Sequence, residues 1–245
     1  MGTGEQAVPS WAGQGRFGVR FQWGPVVAPA VSGGICVVVD VLRFTTAVDG
    51  AVSRGVAVYP YRWRDATAAA FAASAGAILA SRGPAGPSLS PASLEALDPG
   101  TSVVLPSPNG STCAVLASQA GARVAAGCLR NATAVGHWAA TAGEPVTVIA
   151  CGERWPDGSL RPALEDLLGA GAILASLPGE PSPEARAAIA AFRDAAGQLP
   201  GALAECASGR QLIERGQGAD VAYAARLDAS PTVAVLADGA FRSVR

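Results

Sequence analysis

The segment Ile35–Val39 reads Ile-Cys-Val-Val-Val, five apolar residues in a row with no polar residue among them. It is too short for a buried helix, and its β-branched content favours an extended chain. A strand with one wet face would alternate; a continuous run fits a strand covered on both faces, the situation in a parallel sheet flanked by helices. Similar short runs recur at residues 56–59, 77–80, 102–105, 123–126, 146–150 and 232–236. Between most of them lie small-residue stretches with helical spacing, at 45–54, 66–75, 112–119 and 131–141. Strand and helix in alternation predict an α/β chain, a largely parallel or mixed sheet with helices on both faces. Residues 16–23 alternate in character and read as a further strand, with 1–15 as a loose tail ahead of one α/β domain over 16–245.

The stretch 160–228 differs, reading as helix after helix. Pro162 fits a first helical turn with Glu165 and Asp166 behind it. Further helices are expected at 181–196, 209–216 and 219–227, and Asp238-Gly239 marks a turn. No fixed period runs through the chain. A loose echo links 35–60 with 102–127, each a strand, a small-residue loop, a helix and a strand, compatible with two similar halves.

Composition narrows the function classes. Half of the 245 residues are hydrophobic, and the formal net charge is −1 with no basic run, which argues against nucleic acid or an anionic membrane surface as partner. There is no lysine, so neither a P-loop lysine nor a Schiff base is available. With alanine, glycine and arginine abundant, that pattern reflects a GC-rich coding sequence, and arginine content alone carries no functional message. The N-terminus lacks a basic start followed by an apolar stretch, Gln6 stands where a myristoylation site has Ser or Thr, and no apolar segment reaches the roughly 20 residues of a membrane span. A cytoplasmic protein is expected. Cys36, Cys113, Cys128, Cys151 and Cys206 are odd in number without Cys-x-x-Cys spacing, so they read as buried thiols.

His137 is the single histidine, set beside Trp138 in an expected helix, so a histidine metal cluster is excluded and a Ser-His-Asp site has no Gly-x-Ser-x-Gly to go with it. Residues 13–18 spell Gly-x-Gly-x-x-Gly but open no helix, which makes them a chance match to the dinucleotide fingerprint. What remains is chemistry by carboxylates, arginines, hydroxyls and backbone amides.

Three loops offer such groups. Asp40 directly follows the Ile35–Val39 run, at the carboxyl end of a buried strand where α/β sheets hold ligands. Arg43 adds a planar fork suited to phosphate or sulfonate, and Thr45 and Thr46 lie at a helix start that attracts anions. The competing reading makes a threonine the N-cap and Asp40–Arg43 a structural ion pair. The second loop, Pro106-Ser107-Pro108-Asn109-Gly110-Ser111-Thr112, is either an anion cradle or an Asn-Gly turn with a capped helix. In the third, Glu165 and Asp166 serve the helix dipole or, with Asp40, offer hard oxygen ligands to magnesium.

Taken together the segments resemble the 2-phosphosulfolactate phosphatase (ComB) family. The resemblance rests on VVVDVLRFTTAV at 37–48, SPNGST at 107–112 and CGERWPDGSLRPALEDLLGAGAIL at 151–174. It continues through PSLSPASL at 87–94, GCLRNATAV at 127–135 and SGRQLIERGQGADVAYAARLDAS at 208–230. It implies a three-layer α/β/α sandwich and magnesium-dependent hydrolysis of 2-phosphosulfolactate, in coenzyme M biosynthesis. It assigns Asp40 and Arg43 to a first signature, Asn109, Gly110, Ser111 and Thr112 to a second, and Glu165 and Asp166 to a third. From these follow the expected roles: Asp40 and Arg43 catalytic; Thr45, Thr46, Asn109, Gly110, Ser111, Thr112 and Asn131 substrate-binding; Asp40, Glu165 and Asp166 metal-binding.

Departures from the family pattern fall at Gly127-Cys128-Leu129-Arg130-Asn131, at Arg154-Trp155 and at Arg82-Gly83-Pro84, a loose match to a basic anion loop. The partner is expected to be a small anionic phosphorylated molecule. Alternatives are another small phosphorylated hydroxy acid, or an anion-binding homologue without turnover. Trp11, Trp23 and Trp63 are candidates for a homodimer surface.

Overall fold

A computed structural model describes residues 14–31, 33–81 and 86–244; Trp11, Gly13 of the Gly-x-Gly-x-x-Gly match and the Arg82-Gly83-Pro84 loop lie outside the described residues. The chain order is β1 (Val19–Trp23), a 3-10 turn (Pro25–Ala30), β2 (Ile35–Val39), α1 (Phe44–Ser53), β3 (Ala57–Tyr61), α2 (Ala66–Ser74) and β4 (Ile78–Leu79). It continues with α3 (Pro91–Glu95), β5 (Ser102–Pro106), α4 (Gly110–Gln119), β6 (Arg123–Gly127), α5 (Ala132–Thr141) and β7 (Val146–Ala150). A small hairpin, β8 (Glu153–Arg154) and β9 (Leu160–Arg161), precedes α6 (Leu164–Ala175), α7 (Pro183–Ala195), α8 (Leu199–Glu205), α9 (Ala207–Glu214) and α10 (Gly218–Ala224). The closing pair is β10 (Ala234–Ala237) and β11 (Ala240–Ser243).

The nine-stranded sheet has the order β1-β7-β2-β6-β10-β11-β3-β5-β4. Strands β1, β7, β2 and β6 run parallel to one another, and so do β3, β5 and β4. The β10–β11 hairpin joins the two sets through three successive antiparallel pairings, which sets them in opposite senses. Asp238 and Gly239 make its turn with φ of 51° and 79°, the positive values a two-residue hairpin turn requires.

Strand β2 shows why the sequence pattern works. All five of its residues are buried. Ile35, Val37 and Val39 enter one apolar cluster with Val148, Leu168 and Ile173. Cys36 and Val38 point the other way, into a second cluster with Phe44, Val48, Cys113 and Ala114. Period-2 alternation divides one run between two cores, so α5, α6 and α7 cover one face and α1 and α4 the other. This is the three-layer α/β/α arrangement. The five cysteines are buried and free, and His137 is exposed on α5.

The faint internal echo has a structural counterpart. Helix α1, strand β3 and helix α2 begin at residues 44, 57 and 66; α4, β6 and α5 begin at 110, 123 and 132, a constant displacement of 66. The units β2-α1-β3-α2-β4 and β5-α4-β6-α5-β7 also pair reciprocally: β2 with β6 and β7, β5 with β3 and β4. Each unit therefore starts in one parallel set and crosses to the other, with the β10–β11 hairpin between them.

Other expectations need adjustment at the ends. Pro162 lies ahead of the α6 N-cap, Ala163, rather than inside the helix, while Pro183 does occupy the first turn of α7, capped by Ser182 Oγ at 3.1 Å from Ala185 N. Helix α8 and the β8–β9 hairpin carried no usable sequence signal; α8 contains Pro200 and Gly201, and each hairpin strand is two residues long. Among the described residues no helix is long and apolar enough to cross a membrane.

Phe241 of β11 is fully buried and meets Phe44 edge-on, with ring centroids 6.2 Å apart, beside the Phe241–Val58 pairing that links the two halves of the sheet. Phe241→Ala is expected to cost about 3–5 kcal/mol of unfolding free energy in a urea titration.

Candidate active site

The carboxyl end of β2 and the starts of α1 and α4 meet at one side chain. Asp40 Oδ1 accepts from Phe44 N at 3.1 Å, and Asp40 Oδ2 accepts from Gly110 N at 3.0 Å. Phe44 and Gly110 are the first residues of α1 and α4 and occupy equivalent places in the two units. Two helix N-termini, each with orphan amides and a partial positive charge, thus converge on one carboxylate. Gly110 is needed for the approach: a Cβ there would lie 2.2 Å from Phe44 Cδ1 and 2.8 Å from Asp40 Oδ2.

The threonines and Ser111 secure this arrangement from behind. Thr45 Oγ1 donates to Asp40 O at 2.9 Å and accepts from Asp40 N at 3.0 Å, while Thr46 Oγ1 donates to Val41 O at 2.8 Å. Ser111 Oγ donates to Leu105 O at 3.0 Å, the matching tie between helix and strand end in the second unit. All three hydroxyls are buried. The same atoms that sequence reasoning offered to a ligand are engaged with the backbone that shapes the site.

Asp40 is one of four neighbouring acids. Asp166, in the first turn of α6, accepts from Val41 N and Gly152 N, both at 2.8 Å, and so ties the ends of β2 and β7 together. Glu165 is buried and its Oε2 accepts from Cys206 Sγ at 3.3 Å. Glu153, on the β8–β9 hairpin, accepts at Oε2 from Asn109 Nδ2 at 3.0 Å. Burial pushes the Asp40 carboxyl up to about 7, helped by the charges of Glu153 and Glu165 and opposed by its two amide bonds. Burial, then Asp40 and Glu165, raise Asp166 well above the usual carboxylate range. Burial likewise raises Glu153, against the Asn109 bond and the pull of Arg161.

The ion pairs formed among the described residues, Arg43–Asp220 and Arg130–Asp49, leave all four of these acids without an arginine partner. Hard oxygen donors with surplus negative charge are the chemistry a magnesium ion takes. No three or more acidic, histidine or cysteine side chains among the described residues are arranged to hold a metal by themselves. Magnesium commonly takes only one or two carboxylates, with water and substrate oxygens completing its shell, so the donor set fits that mode of binding.

In front of Asp40 opens a cleft of about 1110 Å³ whose wall includes Asp40, Arg43, Asn109 and Glu153. Arg43 is held by Asp220, whose other oxygen accepts from Ser90 Oγ at 2.7 Å. Of the residues singled out from the sequence, Asp40, Arg43 and Asn109 reach the cleft; Gly110 underlies it, and Glu165 and Asp166 are buried. Thr112 is buried in the first turn of α4. Asn131 is spent on Cys128 N at 2.9 Å, Ala126 O at 3.3 Å and Thr232 O at 3.1 Å, and does not line the cleft.

Sequence reasoning did not single out Glu153, Asp220, Arg64 or Arg215 for the site. Glu153 stands three residues past β7, a detectable signal; Asp220 and Arg215 sit among helices with no motif around them. Arg154 and Trp155 stay outside the cleft wall: Arg154 Nη1 donates to Gly158 O at 2.9 Å, and Trp155 lies exposed under the Arg161 guanidinium.

Two outcomes follow from this packing and charge. Gly110→Ala is expected to remove most ligand binding and lower the melting temperature, checked by calorimetry, because neither Phe44 nor the Asp40 bond can yield without opening the clamp. The raised acids destabilise the metal-free fold as pH climbs from about 4 through about 7, since folding then holds protons the unfolded chain releases. Glu153→Gln should therefore raise the metal-free melting temperature at pH 8 and leave it nearly unchanged below about pH 4, where Glu153 is protonated in both states.

No curated protein matches the chain. The family model described as 2-phosphosulpholactate phosphatase matches residues 27–239, which take in both repeated units, the four acids and the cleft. With nearly all of its length matched, and the matched segment building one acid-floored, arginine-walled cleft, the chain belongs to the 2-phosphosulpholactate phosphatase family, a family of phosphoric monoester hydrolases.

Proposed function

We propose that the protein is a magnesium-dependent phosphatase that hydrolyses 2-phosphosulfolactate to sulfolactate and phosphate. The observation that carries this reading is the Asp40 carboxylate, clamped by the first amides of α1 and α4 at the wall of an arginine-bearing cleft. The family membership supports a phosphate ester as the substrate class. Asp40, with Glu165 or Asp166, would hold the magnesium ion. Once bound, the ion supplies charge neutralisation at the phosphate oxygens and makes water a better nucleophile.

The chain's own groups do the rest. Arg43, fixed in direction by Asp220, presents its fork to the phosphoryl oxygens as charge moves onto them. The amides of Ser111 and Thr112 lie in the first turn of α4, where no intrahelical acceptor exists, and add to the positive field behind Asn109. Both oxygens of Asp40 are engaged by backbone amides, so the carboxylate is oriented rather than free to attack phosphorus. Leu42 stands two residues after Asp40, where a haloacid-dehalogenase-type site has a second Asp. Both points favour direct attack by water over a phospho-aspartate. Glu153, steadied by Asn109 at the cleft wall, is placed to take the proton from that water at a carboxylate oxygen.

The test is phosphate release from 2-phosphosulfolactate, with magnesium and then with EDTA. Release is expected with magnesium only, and Asp40→Asn should lower kcat by on the order of 100-fold or more. Full activity in Asp40→Asn would remove Asp40 from this role. Release from a different phosphorylated hydroxy acid alone would keep the reaction and change the substrate.

A further inference from the structure

The segment Gly127–Asn131, one of the departures from the family pattern, carries a buried arginine that the site described above does not use. Arg130 Nε donates to Asp49 Oδ2 at 3.0 Å, and the guanidinium lies 3.8 Å from the centre of the Tyr223 ring. Its backbone is fixed as well, since Arg130 O accepts from Ser230 N at 2.8 Å. The other oxygen of Asp49 accepts from Ser230 Oγ at 2.6 Å. Arg130 is thereby wedged between α1, which carries Asp49, and α10, which carries Tyr223. It lies outside the cleft wall.

What Arg130 holds leads directly to Arg43. Tyr223 and Asp220 stand three residues apart on α10 and so share one face of it. Asp220 pairs with Arg43 through Oδ2 and accepts from Ser90 Oγ through Oδ1, while the Tyr223 hydroxyl donates to Glu95 of α3. Arg43 is in turn the N-cap residue of α1, six residues ahead of Asp49. Helix α10 is thus tied to α1 by Asp220 on Arg43 at the cleft and by Tyr223 on the Arg130–Asp49 pair farther along. A seven-residue helix has no stability of its own, so its position depends on such tertiary contacts. Loss of the Tyr223 seat frees α10 to shift, and with it the acid that aims the Arg43 fork. An unaimed arginine keeps rotamer freedom that phosphate binding must then remove.

We propose that Arg130 is a positioning residue for the reaction: it seats Tyr223, Tyr223 fixes α10, and α10 holds Asp220 where it directs Arg43 at the phosphoryl oxygens. This inference rests on the phosphatase reading for the role of Arg43. A buried arginine–carboxylate pair adds little net stability beyond what apolar residues of the same volume give, so the Arg130–Asp49 pair is explained by the geometry it imposes. Charge alone does not impose it. A planar guanidinium stacks on a ring while its edge meets a carboxylate, whereas a lysine ammonium, a point charge, meets the carboxylate without the stack.

The test measures kcat/KM for hydrolysis of 2-phosphosulfolactate with magnesium, well below each variant's melting transition, for Arg130→Lys in the wild-type and Arg43→Gln backgrounds. Arg130→Lys is expected to lower kcat/KM about tenfold in the wild type and to have no further effect once Arg43 is gone. Tyr223→Leu leaves the Arg130–Asp49 pair in place; it should give the same background-dependent loss, and it decides the matter if Arg130→Lys does not fold. Tyr223→Phe keeps the ring under the guanidinium and should retain most of the activity. Unchanged kinetics in Arg130→Lys, or an equal loss in both backgrounds as a purely structural role would give, overturns the positioning role and leaves the phosphatase reading in place. Tyr223→Phe as impaired as Tyr223→Leu assigns the effect to the Glu95 bond and also overturns it. A wild type without turnover defeats the phosphatase reading, and calorimetry with inorganic phosphate and magnesium then decides the positioning role alone. Phosphate affinity lowered by Arg130→Lys only where Arg43 is present keeps it; absent or unchanged binding removes it.

Discussion

The two amide bonds onto Asp40 are the constraint around which the rest of the molecule is arranged. They draw the N-termini of α1 and α4, one from each repeated unit, to within hydrogen-bond reach of one carboxylate. To meet there, the helices must lie side by side on the same face of β2 and β6, which is where Phe44, Cys113 and Ala114 enter a shared core. Gly110 follows from the same requirement, since no side chain fits between Phe44 and Asp40. The hydroxyls of Thr45, Thr46 and Ser111 then fasten each helix to the strand before it.

That arrangement carries an electrostatic cost. Burial raises the proton affinity of Asp40, Glu153 and Asp166, and the charges of the neighbouring acids add to the effect. Amides from Phe44, Gly110, Val41 and Gly152 offset part of it. A fold does not keep four such acids together for stability, because two well-packed apolar residues would serve a core better. Concentrated strain of this kind is characteristic of functional sites. Elsewhere the buried charge is handled differently: Asp49 is met by Arg130 at 3.0 Å and Ser230 at 2.6 Å, and the Arg130 guanidinium stacks on Tyr223. The contrast between a neutralised buried acid and a group of unneutralised ones separates structure from chemistry within one chain.

Much of the fold was legible because its strands are covered on both faces. Such strands read as apolar runs whatever their neighbours are, and β2, β5, β6 and β7 appear in the sequence at nearly their observed limits. The α8 helix and the β8–β9 hairpin left no comparable trace, since Pro200 and Gly201 look like a break and two-residue strands have no period. The repeat was visible only as a loose echo. Its two units share element order and pairing far more than residue identity, with Asp40 of one unit set against the Ser107-Pro108-Asn109 loop of the other.

The sequence by itself determined the α/β class, the positions of most strands and helices, and the chemistry left open once lysine and histidine mechanisms were set aside. It also placed Asp40, Asn109 and Gly110 after strand ends, and Glu165 and Asp166 in a first helical turn, because local rules govern where strands stop and helices begin. Tertiary structure alone decided which of these meet. Strand order brought Gly110 to Asp40 across 70 residues and Asp166 to Val41 across 125. It turned Thr45, Thr46, Ser111 and Asn131 inward to backbone partners. It also assembled a wall from Arg64 and Arg215, which no motif connects. The physical reason is that hydrogen-bond geometry and sheet order act between distant segments, and neither leaves a mark on the residues beside them in the chain.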